Sequence, residues 1–371
     1  MRIAIIGSRG FPYVYSGYET LVTELATRLV ARGHEVLVYC RSPLFPEQPP
    51  VVQGVRLVYI PTLKSKSLET LMHGFLSTLD VVQRNVDAVL YVNSANGAFG
   101  AITRLFRKRT AINVDGLEWL RPKWKGLGGR VFYVLSKLAT QFFDEIVTDA
   151  EAMAEVYRKE FQSPSAVIAY GAKLAHSETP ERIKEFDLEA REYYLIVGRL
   201  IPDNNADVII RGFERSKTKR RLVVVGDVPY KDDYADRVKS TTDPRVRFVG
   251  YVKDQALLRE LYCNSYAYLH GHEFGGTNPA LLKALGFGCG ILALDTPFSR
   301  EVLAGDRHGR YFPKTAEGVA VSLDWAESNP DRLQAMRDTS RNRIEEAYTW
   351  EKIVDQYEAL FRRLAASGGH P

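Results

Sequence analysis

The sequence predicts an α/β protein made of two doubly wound domains in tandem. Three observations carry this. Short apolar runs alternate with amphipathic segments along nearly the whole chain, the pattern of parallel strands joined by right-handed crossovers. The alternation stops once, at the polar stretch 173–190 (KLAHSETPERIKEFDLEA), and then begins again. The length, 371 residues, also favours two domains over one. The expected organisation is a first domain over 1–172, a linker over 173–190, a second domain over 191–347 and a closing helical segment over 348–371.

In chain order, Ile3 to Ile6 is an apolar strand running into Gly7-Ser8-Arg9-Gly10. A loop from Phe11 to Gly17 leads to a helix over about 18–32. There Leu21, Leu25 and Leu29 form one buried stripe, while Glu24 and Arg28 are expected to face water. Gly33 ends it, and Glu35 to Cys40 is the next strand. The same rhythm gives strands at 56–60, 87–92, 110–114, 145–148 and 166–169. Helices fall near 66–84, 96–107 and 150–160, with a basic helix before 145. In the second half, strands are expected at 193–197, 221–225, 246–249, 266–269 and 291–294. Helices are expected near 206–215, 232–240, 255–263, 279–286, 316–326 and 329–346. The last helix, 350–364, is amphipathic through Ile353, Tyr357, Leu360, Phe361 and Leu364.

Composition narrows the class. A hydrophobic content of 45% with 26% charged residues suits a soluble chain with sizeable cores. Cys40, Cys263 and Cys289 are odd in number and set in or beside apolar runs, so they read as small buried side chains of a reducing compartment. Met1-Arg2 leads directly into a strand, which leaves no room for a signal peptide. No apolar run reaches the roughly 18 residues a bilayer span needs. A cytoplasmic protein is expected.

The strongest functional signal is His270 to Gly290, HGHEFGGTNPALLKALGFGCG. An apolar strand crosses a glycine loop into a helix that Thr277 or Asn278 can cap and Pro279 can open. Free backbone N–H groups and a positive dipole end then converge on one point, a site for phosphate. Glu273 stands just before it. A carboxylate there repels bare phosphate but can accept from the hydroxyls of an attached sugar; the alternative is an ordinary turn with a surface glutamate.

Other loops at strand carboxyl ends join the candidate set. Gly10, Ser16 and Gly17 can bring backbone amides to an anion, or simply make tight turns. Their spacing is not G-x-G-x-x-G, and Arg41 closes the second strand where a dinucleotide site needs an acid. Asp115 and Glu118 follow the strand ending at Val114; an acid there is a general base, a sugar-hydroxyl ligand or a turn residue. Arg199 suits bidentate pairing with a diphosphate, or a salt bridge. Asn204 and Asn205 are donors to the same group or helix caps. Two open sheets should hold ligand in the cleft between them. No Asp-x-Asp occurs and the seven histidines lack ligand spacing, so no metal is expected.

These segments resemble a known family. GSRGFPYVYSGYETLVTELATRLVARGHEVLVYCR, DGLEWLRPKW, VGRLIPDNN, HGHEFGGTNPALLKALGFG and TWEKIVDQYEALF are together similar to retaining nucleotide-sugar glycosyltransferases of the GT-B fold, glycosyltransferase family 4, in a bacterial rhamnosyltransferase-like branch. The resemblance implies two Rossmann-like domains, with the last helix packing back on the first. It also implies transfer of rhamnose or another hexose from a nucleotide sugar to a glycan or lipid-linked acceptor in polysaccharide synthesis, with no cofactor. By it, Glu273 contacts donor-sugar hydroxyls, the amides of Gly275, Gly276 and Thr277 hold the diphosphate beside Asn278, and Arg199 is the phosphate-binding arginine. Asp115 positions the acceptor, with Glu118 and Trp119 on the acceptor side. Two positions depart from the family. Asn204 stands where a lysine is usual, and Lys283 where a second glutamate binds the ribose. A cation cannot accept ribose hydroxyl bonds, so a 2′-deoxyribose donor such as dTDP-rhamnose loses least. A GT-B epimerase or phosphorylase, or a non-catalytic nucleotide-sugar binder, are the alternatives.

Charge points to a further partner. Residues 1–172 carry 20 Lys/Arg against 15 Asp/Glu, and 101–137 alone hold 9 against 2. Among these basic residues stand Leu105, Phe106, Trp119, Trp124, Val131, Phe132 and Tyr133, either interfacial or core. Basic residues with exposed aromatics suit an anionic membrane surface, which makes a peripheral enzyme on the inner face of the plasma membrane the expectation. No nucleic-acid module accompanies the charge.

Overall fold

The computed structural model describes residues 1–12, 17–62, 68–124, 126–228 and 231–367. They form two compact units: Met1–Tyr170 with Trp350–Pro371, and Gly171–Thr349.

The first unit carries strands β1 (Arg2–Ile6), β2 (Glu35–Arg41), β3 (Val51–Val52), β4 (Val55–Ile60), β5 (Ala88–Val92), β6 (Thr110–Asn113), β7 (Glu145–Thr148) and β8 (Ala166–Val167). Its helices are α1 (Gly17–Ala31), α2 (Leu68–Val81), α3 (Gly100–Leu105), α4 (Leu127–Phe142) and α5 (Glu151–Phe161). The sheet order is β3-β4-β2-β1-β5-β6-β7-β8. Every pairing is parallel except the short β3–β4 hairpin, which apolar periodicity did not reveal because β3 is two residues long. The helix expected at 96–107 is two pieces, a 3-10 stretch Ser94–Phe99 and then α3.

The second unit contains β9 (Tyr193–Val197), β10 (Arg221–Val225), β11 (Val246–Gly250), β12 (Ala267–His270), β13 (Ile291–Leu294) and β14 (Arg310–Phe312). Its helices are α6 (Ala206–Arg215), α7 (Asp233–Lys239), α8 (Gln255–Asn264), α9 (Pro279–Gly286), α10 (Pro297–Val302), α11 (Ala316–Ser328) and α12 (Pro330–Arg343). The all-parallel order is β11-β10-β9-β12-β13-β14. Gly212 lets α6 lie against α11, since a Cβ there would come 2.4 Å from Val319. The polar stretch 173–190 belongs to this unit and is ordered. Its 3-10 segment Pro180–Phe186 buries Ile183, and the N–H groups of Glu178 and Thr179 donate to the buried Glu260 carboxylate at 2.9 and 3.1 Å. A buried charge recruits donors from whatever chain is nearest, and composition alone does not show that.

The last helix, α13 (Trp350–Ala366), packs on the first unit. Its apolar face, Ile353, Tyr357, Leu360, Phe361 and Leu364, is buried, and Asn113 donates to the Tyr357 hydroxyl at 2.9 Å. This helix corrects the expectation for α1. Leu21, Leu25 and Leu29 are buried, but Glu24 and Arg28 do not face open water. Arg28 pairs with Glu24 and Glu351, with its guanidinium 6.0 Å over Trp350. The three cysteines are buried thiols.

Candidate functional site

In the second unit the sheet grows outward from β9 in both directions, so β9 and β12 are neighbours although 3 helices separate them in sequence. Loops leaving two such strands lie side by side at the carboxyl edge, where open α/β sheets bind ligands. Here they are tied together. The Asn204 amide donates to the Arg199 carbonyl at 2.8 Å, and its Oδ1 lies 2.8 Å from Nδ1 of His272. The Glu273 N–H donates to the Asp203 carbonyl at 3.0 Å. Asn205, buried and at φ +50°, donates to the Gly271 carbonyl at 2.9 Å and to Glu273 Oε2 at 3.3 Å. Gly271 is needed there: a Cβ would stand 2.3 Å from the Asn204 carbonyl oxygen.

The helix beyond is built as its sequence indicates. Asn278 caps α9 by accepting from the Ala280 N–H at 2.9 Å, and Pro279 takes the first position. Gly275 has φ +121°, and Gly275, Gly276 and Thr277 are buried against the helix start. Arg199 is exposed, and among the described residues it makes no ion pair. Lys283 donates to Gln255 at 3.3 Å, at the start of α8. His270 is buried near Tyr268, and desolvation pushes its pKa down to about 3, so it is neutral.

One residue here escaped sequence reasoning. Lys314, just past β14, places Nζ 2.5 Å from Glu273 Oε2. The segment YFPKT carries no motif. The contact exists because β14 pairs with β13, and β13 with β12.

The first unit has a corresponding reversal between β1 and β5. Gly10 (φ +130°) follows β1 where a Cβ would be 2.8 Å from Cys40, and Gly17 opens α1; Ser16 lies outside the described residues. Beyond β6, Asp115 is half-buried. Tyr170 donates to its Oδ2 at 2.7 Å, and Tyr18 to its backbone carbonyl at 3.1 Å. Burial raises the Asp115 pKa, while Arg121, Tyr170 and a bond with the Asp149 carboxyl oppose the rise. Glu118 accepts from Trp124 Nε1 at 2.7 Å and pairs with Arg121 at 2.9 Å.

The tryptophans are packed. Trp119 meets Tyr133, Tyr157 and Phe161 edge-on with centroids 5.6 to 6.0 Å apart, and Trp124 lies on Phe132 at 4.8 Å. A shallow groove of about 360 Å³ runs beside them, lined by Arg121, Arg130 and Tyr133 among others. The exposed apolar residues are different ones: Leu127 (77% exposed), Val131 and Val134 on α4, and Leu105 (79%) and Phe106 at the end of α3. Arg104, Arg107, Arg130 and Lys137 stand exposed among them, and neither helix contains an acid. Lys108 and Arg109 are engaged elsewhere, with the Arg84 and Ser367 carbonyls; Lys125 lies outside the described residues. No helix among the described residues is long and apolar enough to cross a membrane, and no three His, Cys, Asp or Glu converge on a cation site.

Comparison with known proteins bears on both units. Residues 178–343 match the family described as glycosyl transferases group 1, and residues 16–171 match the glycosyl transferase 4-like domain. No curated protein matches. Among solved structures, sucrose-phosphate synthase from Thermosynechococcus elongatus aligns with TM-score 0.82 over 99% of each chain at 18% identity. HepE of Anabaena, in complex with UDP-glucose, aligns with TM-score 0.76 over 97% of this chain and 98% of that one at 14% identity. An alpha,alpha-trehalose-phosphate synthase (UDP-forming) from Burkholderia vietnamiensis aligns with TM-score 0.74 over 98% and 100% at 10% identity. At these identities the likeness is one of fold.

Proposed function

We propose that this chain, whose residues 178–343 match glycosyl transferases group 1 and 16–171 the glycosyl transferase 4-like domain, moves a hexose, with rhamnose the first candidate, from a nucleoside diphosphate to a glycan or lipid-linked acceptor. The observation that carries this reading is the joined loop pair of the second unit. An acid braced by buried Asn205 stands next to a capped helix start, with an exposed arginine on the adjoining loop. That arrangement suits a sugar attached to a diphosphate. HepE of Anabaena, of the same fold, is solved in complex with UDP-glucose, which favours a donor of this class.

In this reading transfer is retaining and independent of metal. The bond from the sugar's anomeric carbon to the diphosphate oxygen breaks, and the amides of Gly275, Gly276 and Thr277 together with Arg199 stabilise the charge left on the diphosphate. Glu273 orients the sugar through its hydroxyls. The acceptor oxygen bonds to the anomeric carbon on the face the diphosphate leaves, and its proton passes to the departing phosphate. Asp115, held by Tyr170, is the acceptor-side acid. Thermal-shift screening of UDP-glucose, dTDP-rhamnose and other nucleotide sugars tests the reading, because a ligand of the native state raises apparent stability. A screen in which no nucleotide sugar raises it would overturn the reading.

Membrane association rests on a separate observation. Exposed Leu127, Val131 and Val134 repeat along one side of α4 beside Arg130 and Lys137, and α4 itself contains no acid. Such a face suits an anionic lipid surface, with each basic residue contributing about 1 kcal/mol. Sedimentation with phosphatidylglycerol vesicles at low salt, lost at high salt, supports it. Failure to sediment at low salt removes it.

A further inference from the structure

We propose that Lys314 is a positioning residue of the donor site, acting through Glu273. This rests on the donor reading above and deepens it.

The argument starts from charge. A donor diphosphate brings negative charge to the start of α9, and Glu273 stands in the same loop, where its own charge opposes binding. Asn204 carries no charge, and both ends of its amide are occupied, by the Arg199 carbonyl and by His272. Arg199 alone would then face the donor and the acid together. Lys314 alters this balance, because its ammonium lies 2.5 Å from Glu273 Oε2 and offsets the carboxylate where the two meet.

Geometry adds the second strand of the argument. Oε2 of Glu273 accepts from two residues, Lys314 and Asn205, which approach from different loops. Oε1 takes no hydrogen bond among the described residues, so one oxygen is fixed and the other is open to a sugar hydroxyl. The Lys314 side chain is half exposed, and exposed ion pairs contribute little to stability. Its removal should therefore register in binding and not in folding.

The test uses the full chain and whichever of UDP-glucose or dTDP-rhamnose the wild type takes up. Calorimetric titration compares Lys314→Ala, Lys314→Arg, Glu273→Gln and the double variant Lys314→Ala with Glu273→Gln, each against the sugar nucleotide and against the bare nucleoside diphosphate. Lys314→Ala should raise the sugar-nucleotide Kd about tenfold, the scale of one charge-assisted bond. The loss should be smaller for the bare diphosphate, because Glu273 reaches the sugar. Lys314→Arg should restore most of the affinity, and the double variant should bind no worse than Glu273→Gln alone. Melting temperatures should stay at the wild-type value. An unchanged Kd in Lys314→Ala, equal losses for both ligands, or losses that multiply in the double variant overturn the role of Lys314 while leaving the donor reading intact. A wild type that binds neither sugar nucleotide overturns both.

Discussion

Asn205 donates one side-chain hydrogen bond to the Gly271 carbonyl at 2.9 Å and another to Glu273 Oε2 at 3.3 Å, across 66 and 68 residues of sequence. One buried amide thus fixes both the path of the loop after β12 and the direction of its acid. Replacing Asn205 with Ala should cost about 1–3 kcal/mol of stability in the second unit, because the carbonyl it serves is left buried without a donor. The backbone at φ +50° adds strain for Ala. Asn205→Gly relieves that strain, so its melting temperature should fall less while donor affinity falls as far. Equal affinity in Asn205→Gly and wild type would show that the amide does not orient Glu273.

Glu273→Gln keeps the shape of the side chain and removes the charged acceptor. Transfer should drop steeply while the melting temperature stays within about 0.5 kcal/mol equivalent of wild type, as for other substitutions on partly exposed sites. Near-normal turnover in this variant would exclude Glu273 from the reaction.

Arg199 offers a cleaner separation of binding from folding. It is exposed and pairs with no acid among the described residues, so Arg199→Ala should leave stability unchanged. Donor binding should weaken by roughly 1.5–3 kcal/mol, the range for hydrogen bonds to charged groups. Unchanged nucleotide affinity would place the diphosphate elsewhere.

Stability should also depend on pH in a direction set by two buried imidazoles. Burial holds His73 and His270 at about 3, against 6.5 in the open chain. The unfolded chain therefore binds more protons below that value. The stability these neutral rings contribute is complete above pH about 6.5 and is lost as the pH falls from there toward 3. The slope is up to about 1.4 kcal/mol per pH unit for each ring. Urea unfolding at pH 7.5, 6.5 and 5.5 checks this, and midpoints that stay level across the series contradict it.

Gly226 is the last test, because it supports the Arg199 loop from beneath. Its φ is +123°, and a Cβ there would stand 2.0 Å from the Gly198 carbonyl oxygen. Gly226→Ala should destabilise the second unit by about 3 kcal/mol or more, from strain and overpacking together. A wild-type melting temperature would mean the loop can move aside without cost.

Much of this was legible in the chain alone because it is local. Strand and helix alternation follows from runs of a few residues, as does the stripe Leu21, Leu25, Leu29. The end of α9 is equally local: Asn278, Pro279 and the glycines act on backbone within one turn of themselves. Glu273 and Arg199 were identifiable as candidates because each sits at a strand's carboxyl end, which the same alternation locates. Residues 173–190, expected as a linker from their polarity, are tied to the second unit through a buried partner, Glu260, that no local pattern reveals.

Other features depend on which strands become neighbours, and periodicity carries no such information. The two site loops meet because β9 lies beside β12, a pairing set by the crossovers between them. Lys314 reaches Glu273 only because β14 closes the same sheet. Trp119 and Trp124 are equally suited to an interface or a core, and their aromatic neighbours from α4 and α5 hold them half-buried beside the groove. Arg28, apparently facing water on α1, is covered by a helix more than 300 residues later in the chain. A local pattern shows which face of an element is apolar; what covers that face is settled by contacts between segments far apart in the chain, whose closing entropy and packing no short window of sequence contains.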